Sequence, residues 1–138
     1  MCGILAIYNK DKHLNNNIRS MSLDLIKKVR HRGPDWSGIY TSQNAILAHE
    51  RLAIVDIKSG GQPILSSDKN LILAVNGEIY NHLSIRNNKS IEYDYQTNSD
   101  CEVILSLYKN KSIDFLNDIK GIFSFILYDR DKNSILVA

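Results

Sequence analysis

Apolar residues come in short blocks separated by polar turns, and the blocks change period along the chain. Gly3-Ile4-Leu5-Ala6-Ile7-Tyr8 is an apolar run of strand length that starts directly after Cys2, and it predicts a buried β-strand. Ile18, Met21, Leu25 and Val29 recur at helical spacing and predict a helix from Asn17 to Val29. The polar run Asn15-Asn16-Asn17 reads as a loop, and Arg30-His31-Arg32-Gly33-Pro34-Asp35 ends the helix, because Gly beside Pro forces a turn. Short strands follow over Gly38–Thr41, Ala45–His49, Leu52–Ile57 and Leu71–Asn76, with Ser59-Gly60-Gly61-Gln62-Pro63 as a turn between two of them. Asn81–Ile85 predicts a short helix. Asp100–Tyr108 predicts a firmer one, with Val103, Ile104 and Leu107 on one face and Ser99 and Glu102 spaced as a capping box. A further short helix is expected over Ser112–Ile119, then strands Ile122–Tyr128 and Ser134–Ala138 joined by the polar turn Arg130–Asn133. Strands outnumber helices and occur in neighbouring runs, which predicts an α+β domain of antiparallel sheets covered by helices. No repeat and no linker divides residues 1–138. Leu136-Val137-Ala138 lies inside an apolar run with no turn signal, so the chain is read as ending short of a natural C-terminus.

Composition narrows the function classes. With 138 residues, 43% hydrophobic and 23% charged, the chain can build one domain with a core. The formal net charge is +2 and no basic stripe concentrates it, so neither nucleic acid nor a membrane surface is an expected partner. Gly3–Tyr8 is too short and wrongly flanked for a signal peptide, and a cytoplasmic location is expected. Cys2 and Cys101 do not read as a disulfide framework. Cys101 falls in the apolar pattern of a helix as a small hydrophobe, and no zinc spacing links the Cys and His residues.

Cys2 is the residue with the sharpest chemistry. With Met1 trimmed, one residue carries a thiol of ordinary pKa about 8.5 and an α-amine of about 7.7–8.0. Such an amine is partly unprotonated at neutral pH and takes the thiol proton directly or through a water. Four other stretches accompany it: Arg32–Gly38, Ala48–Asp56, Asn76–Asn81 and Ser99–Ile104. Each also has a purely structural reading. Arg-Gly-Pro-Asp is a turn, Arg51 a surface cation, Asn76-Gly77 a hairpin dipeptide, and Asp100 an acid favoured by a helix dipole. Together they suit an amino-acid amide. Arg51 holds an α-carboxylate with a two-pronged contact, Asp100 and Glu78 hold an α-ammonium, and the Asn76 side chain and Gly77 backbone N–H form an oxyanion hole facing Cys2.

These motifs resemble those of class II glutamine amidotransferases, the glutaminases with an N-terminal nucleophile. Within that class the chain is similar to the glutaminase domain of glutamine-dependent asparagine synthetases of the B type. Met-Cys-Gly-Ile, Arg-His-Arg-Gly-Pro-Asp, Leu-Ala-His-Glu-Arg-Leu-Ala-Ile-Val-Asp, Val-Asn-Gly-Glu-Ile-Tyr-Asn and Ser-Asp-Cys-Glu-Val-Ile occur in the family's order, from Met1 to the last residue. The resemblance implies a four-layer αββα N-terminal-nucleophile hydrolase fold, incomplete at the C-terminus. It implies Cys2 as nucleophile, Asn76 and Gly77 as oxyanion hole, and Arg51 as carboxylate ligand, with the backbone of Leu52, Ala53, Ile54 and Val55 lining the same pocket. Glu78 and Asp100 match the amine ligands, and Arg32 matches a position that shapes the pocket. His31 and His49 match structural positions.

The implied substrate is L-glutamine, with no cofactor in this domain and a homodimer as the assembly. Mg-ATP and aspartate are implied for a C-terminal synthetase domain that this chain does not carry. Ser59-Gly60-Gly61 is not that domain's pyrophosphate loop, since no Asp-Ser follows it. The competing expectations are a class II amidotransferase serving another acceptor, and a non-catalytic truncated fragment.

Overall fold

A computed structural model describes residues 2–15, 17–53 and 60–138. Two antiparallel sheets carry the fold. The first has the order β1-β3-β2, with β1 Gly3–Tyr8, β2 Trp36–Thr41 and β3 Ala45–Arg51. The second has the order β4-β5-β6-β7, with β4 Ile64–Leu65, β5 Leu71–Ile79, β6 Gly121–Asp129 and β7 Ser134–Val137. The helices are α1 Asn17–Lys27, α2 His82–Arg86 and α3 Val103–Lys111.

Strand alternation sorts the apolar side chains into two layers. Ala45, Leu47, Ile72, Ala74 and Tyr128, with Ile4, Ala6, Tyr8 and Ile126, fill the space between the sheets. On the other face of the second sheet, Leu73, Val75, Phe125 and Leu127 pack with Val103, Ile104, Leu107 and Phe115 from α3 and the 3₁₀ segment Ser112–Asp118. α1 packs on β1 and β3, on the outer side of the first sheet. The layers therefore run helix, sheet, sheet, helix, the expected α+β arrangement. β3, central and covered on both faces, is buried along its whole length.

Several local expectations are corrected. α1 ends at Lys27, and its buried residues are Ser22 and Ile26, one turn apart, while Met21 and Leu25 are exposed. Ser22 is a small hydroxyl that satisfies itself on the Ile18 carbonyl, so it packs closely where polarity alone would place it outside. The hairpin turn that was the structural alternative for Asn76-Gly77 is not formed, and the strand expected over Leu71–Asn76 runs on to Ile79. Asn76 and Gly77 lie mid-strand in β5, opposite Ser124 and Phe123 of β6. The strand expected over Leu52–Ile57 does not form at Leu52 and Ala53, and the remainder lies outside the described residues. The helix expected from Asp100 begins with a 3₁₀ turn, Asp100–Glu102, before α3. Its capping box is not formed: Ser99 accepts from the Cys101 N–H, but the Glu102 carboxylate accepts from the N–H groups of Gln96 and Thr97 instead. A buried carboxylate gains more from two backbone donors than from one.

His49 lies on β3 in the inter-sheet layer, fully buried, and its Nε2–H donates to the Val75 carbonyl of β5 at 2.8 Å. Burial lowers its pKa from 6.5 to about 4, against the opposing effect of that bond and with help from the Arg51 charge. Between those values the unfolded chain binds a proton that the folded chain refuses. Stability is therefore complete above about pH 6.5 and falls as pH drops toward about 4, by about 1.4 kcal/mol per unit at full slope. Thermal melting at pH about 7 and about 5 should show a larger loss for the unsubstituted chain than for His49→Gln, which has no ring to titrate. Equal losses would contradict the assignment.

Candidate active site

The inter-sheet layer is apolar through most of its length and turns polar at one end. Cys2 precedes Ile4, Ala6 and Tyr8 in the alternation of the first strand, and His49 and Arg51 follow Ala45 and Leu47 on β3. Asn76 and Glu78 follow Ile72 and Ala74 on β5, and Ile122 stands before Ser124 and Ile126 on β6. One period-two rule thus sends the Cys2 thiol, the Arg51 cation and the Asn76 amide to the same end of the same layer. A cavity of about 230 Å³ opens there. That is below the roughly 300–1,000 Å³ of drug-sized ligand sites, and suits an amino acid.

Cys2, Arg51, Leu52, Gly77, Glu78 and Asp100 line this cavity. The N–H of Cys2 donates to Asn76 Oδ1 at 2.7 Å. Because that oxygen is the acceptor, the amide's orientation is set, and Asn76 Nδ2 keeps its donors for something else. The Cys2 sulfur accepts from the Leu52 N–H at 3.3 Å. Arg32 does not line the cavity; its Nε donates to the Cys2 carbonyl at 3.1 Å and holds the residue by its backbone. The Gly33-Pro34 turn lies against β3 so closely that a Cβ on Gly33 would stand 2.2 Å from the Glu50 carbonyl oxygen. Next to it, the Asp35 N–H donates to the Arg51 carbonyl at 3.0 Å and Asp35 Oδ2 accepts from the Ala53 N–H at 2.9 Å. The Arg-Gly-Pro-Asp loop is therefore a brace behind both Cys2 and Arg51.

The edge of β5 that faces away from β6 supplies the rest. In a strand the N–H and C=O of one residue share an edge, and alternate residues share the same edge. On this edge Val75 is bonded to Gln62 and His49, the Gly77 carbonyl accepts from Cys101 Sγ at 3.6 Å, and the Ile79 N–H donates to Asp100 Oδ2 at 2.7 Å. By the same alternation the Gly77 N–H points to this edge, into the cavity that Gly77 lines. Gly77 has φ +157°, and a Cβ there would meet the Ile122 carbonyl oxygen at 2.3 Å, so the position needs glycine.

Cys101 shares the cavity but is 3% exposed. Burial, reinforced by the neighbouring Asp100 charge, pushes its thiol pKa well above the ordinary value. It stays protonated, and a buried protonated thiol is a poor nucleophile.

Ala53 was expected in the lining and is not there; its N–H is spent on Asp35. Ile54 and Val55 lie outside the described residues. Tyr80 and Ser99, which fall in the stretches singled out with Cys2 but were given no role there, also line the cavity, and so do Gly60, Gln62 and Ile122 from outside those stretches. Of the last three, Ile122 had a usable signal, its place in the β6 alternation. Among the described residues no cluster of His, Cys, Asp and Glu could hold a metal ion, and no helix is long and apolar enough to cross a membrane.

Comparison with known proteins agrees with this geometry. The family model of the glutamine amidotransferase domain matches residues 1–138. Asparagine synthetase B [glutamine-hydrolyzing] of Escherichia coli is 51% identical over 138 residues, covering 100% of this chain and 25% of that protein. A probable asparagine synthetase [glutamine-hydrolyzing] of Schizosaccharomyces pombe is 49% identical over 138 residues, again 100% of this chain and 25% of the relative. Asparagine synthetase [glutamine-hydrolyzing] 1 of Arabidopsis thaliana is 46% identical over 139 residues, 100% of this chain and 23% of the relative. The chain thus spans about a quarter of the length of the curated relatives it matches. With the family model matching it from end to end, the chain belongs to the glutamine amidotransferase domain family.

Proposed function

We propose that the chain is a glutaminase that hydrolyses L-glutamine to glutamate and ammonia through a thioester on Cys2. The observation that carries this is the 2.7 Å contact between the Cys2 nitrogen and Asn76 Oδ1, at a cavity also lined by Arg51 and Asp100. Glutamine binds with its α-carboxylate on Arg51 and its α-ammonium between Glu78 and Asp100, which leaves the side-chain amide over Cys2. With Met1 removed, the freed α-amine of Cys2 takes the thiol proton. The sulfur attacks the amide carbon, forming the S–C bond. Asn76 Nδ2 and the Gly77 N–H receive the oxyanion, at about 3–4 kcal/mol per donor in comparable sites. Collapse of this intermediate breaks the C–N bond, and the proton held by the amine goes to the departing ammonia. Water then adds to the thioester by the same route and releases glutamate.

On the relatives' names, the ammonia serves glutamine-dependent asparagine synthesis. The groups in the cavity suit an amino-acid zwitterion, and a space of about 230 Å³ is too small for a nucleotide. We assign Mg-ATP and aspartate to the remaining three quarters of the relatives' length.

Two substitutions test the reading. Cys2→Ala should abolish ammonia release from glutamine while leaving the circular dichroism spectrum unchanged; substantial residual turnover would remove Cys2 as nucleophile. Asp100→Asn keeps an oxygen to accept the Ile79 N–H but loses the charge that meets the ammonium. Steady-state kinetics should show KM for glutamine raised about 10- to 100-fold, from about 1.5–3 kcal/mol for a hydrogen bond to a charged group. An unchanged KM would place the amine elsewhere.

A further inference from the structure

Among the described residues, β5 is paired along its whole length on one side only. β6 runs beside it from Leu71 to Ile79, but β4 on the other side pairs with Ile72 and Leu73 and stops. Val75 is the next residue whose backbone faces that side. A buried strand edge left unpaired costs stability at every N–H and C=O. Here two side chains stand in for the missing strand. Gln62 Oε1 accepts from the Val75 N–H at 2.7 Å, and His49 Nε2–H donates to the Val75 carbonyl at 2.8 Å. Both are buried, Gln62 at 8% and His49 at 0% exposure, and they come from different places: one from the segment leading into β4, the other from the opposite sheet.

The bonded carbonyl belongs to the peptide that joins Val75 to Asn76. That peptide plane sets the direction of the Asn76 Cα–Cβ bond and, one residue on, of the Gly77 N–H. We infer that Gln62, together with His49, is a positioning residue for the oxyanion donors, holding Val75 so that Asn76 and Gly77 face Cys2. The inference rests on the glutaminase reading. Gln62 is fixed in turn by close packing, since its backbone carbonyl oxygen lies where a Cβ on Gly38 would be, at 1.8 Å. His49 also sits two residues before Arg51 on the same strand face, so one inter-sheet bond sets the height of the carboxylate ligand against the oxyanion hole.

Gln62→Met removes the acceptor at similar length, and Gln62→Glu retains it. Both are compared with the unsubstituted chain by ammonia release, with rates divided by the sites titrated by a glutamine-like electrophile that alkylates Cys2. The unsubstituted chain must turn over glutamine; if it does not, the glutaminase reading fails, and this inference with it. Given turnover, Gln62→Met should lower kcat about 10- to 100-fold per titrated site with KM unchanged, the size of effect expected of about 1 Å of misplacement. Gln62→Glu should restore most of the rate. Equal kcat in the Met variant overturns the inference, and so does an equal loss in the Glu variant. A Met variant with no titratable site and a lost circular dichroism spectrum also counts against it, because Gln62 then serves the scaffold rather than the oxyanion donors.

Discussion

The contact between Cys2 and Asn76 joins the start of the first strand to the middle of the second sheet, 74 residues away in sequence. The rest of the site depends on it. It requires that the two sheets face each other with matched alternation, so that the residue before β1 and the sixth residue of β5 emerge into one layer. A shift of one residue in the pairing of β1 with β3, or of β5 with β6, would turn Cys2 or Asn76 to the other face. The apolar part of the layer resists such a shift, because Ile4, Ala6, Leu47 and Ala74 would all leave the core with it. Packing far from the site is therefore what places the site.

Buried polar groups surround the site on more than one side. Glu50, Arg51, Asp100 and Glu102 are all nearly inaccessible, and each carboxylate has specific partners. Glu50 accepts from Ser37, which in turn accepts from Arg30. Glu102 accepts from the backbone N–H groups of Gln96 and Thr97 and from the Thr97 hydroxyl, with Arg86 3.7 Å away. Arg86 lies over the Tyr95 ring and donates to the carbonyls of Thr97 and Ser99. This network fixes the loop that delivers Asp100 to the cavity. Buried charges of this kind add little net stability, but breaking one partner leaves the other uncompensated. They hold geometry more than they hold the fold.

The elements of the fold were largely legible because the strands alternate cleanly and the turns carry Gly, Pro and Asn. The exceptions have physical causes. Met21 and Leu25 misled because helical spacing fits two neighbouring faces, and the buried one uses a serine. Asn76-Gly77 carries a turn signal, yet its glycine answers a close approach of β6. Ser99 and Glu102 have capping spacing, but the nearby loop offered Glu102 better donors. At the site, residue types and motif order pointed to Cys2, Arg51, Asn76, Gly77, Glu78 and Asp100; five of these line one cavity and Asn76 is bonded to Cys2. Gln62 was not legible, because a single glutamine in a turn has no pattern, and its role depends on where β4 stops. Arg32 was legible as a site residue but not in its manner of acting, through the backbone of Cys2.

The central claim is that Cys2, and not Cys101, is the thiol poised over a glutamine-shaped cavity. The most direct measurement is intact mass and peptide mapping of the purified chain before and after treatment with a glutamine-like electrophile. The account predicts a starting mass without Met1, a single adduct on Cys2, protection by glutamine, and an unmodified Cys101. An adduct on Cys101, or one on Cys2 that glutamine does not block, would contradict it.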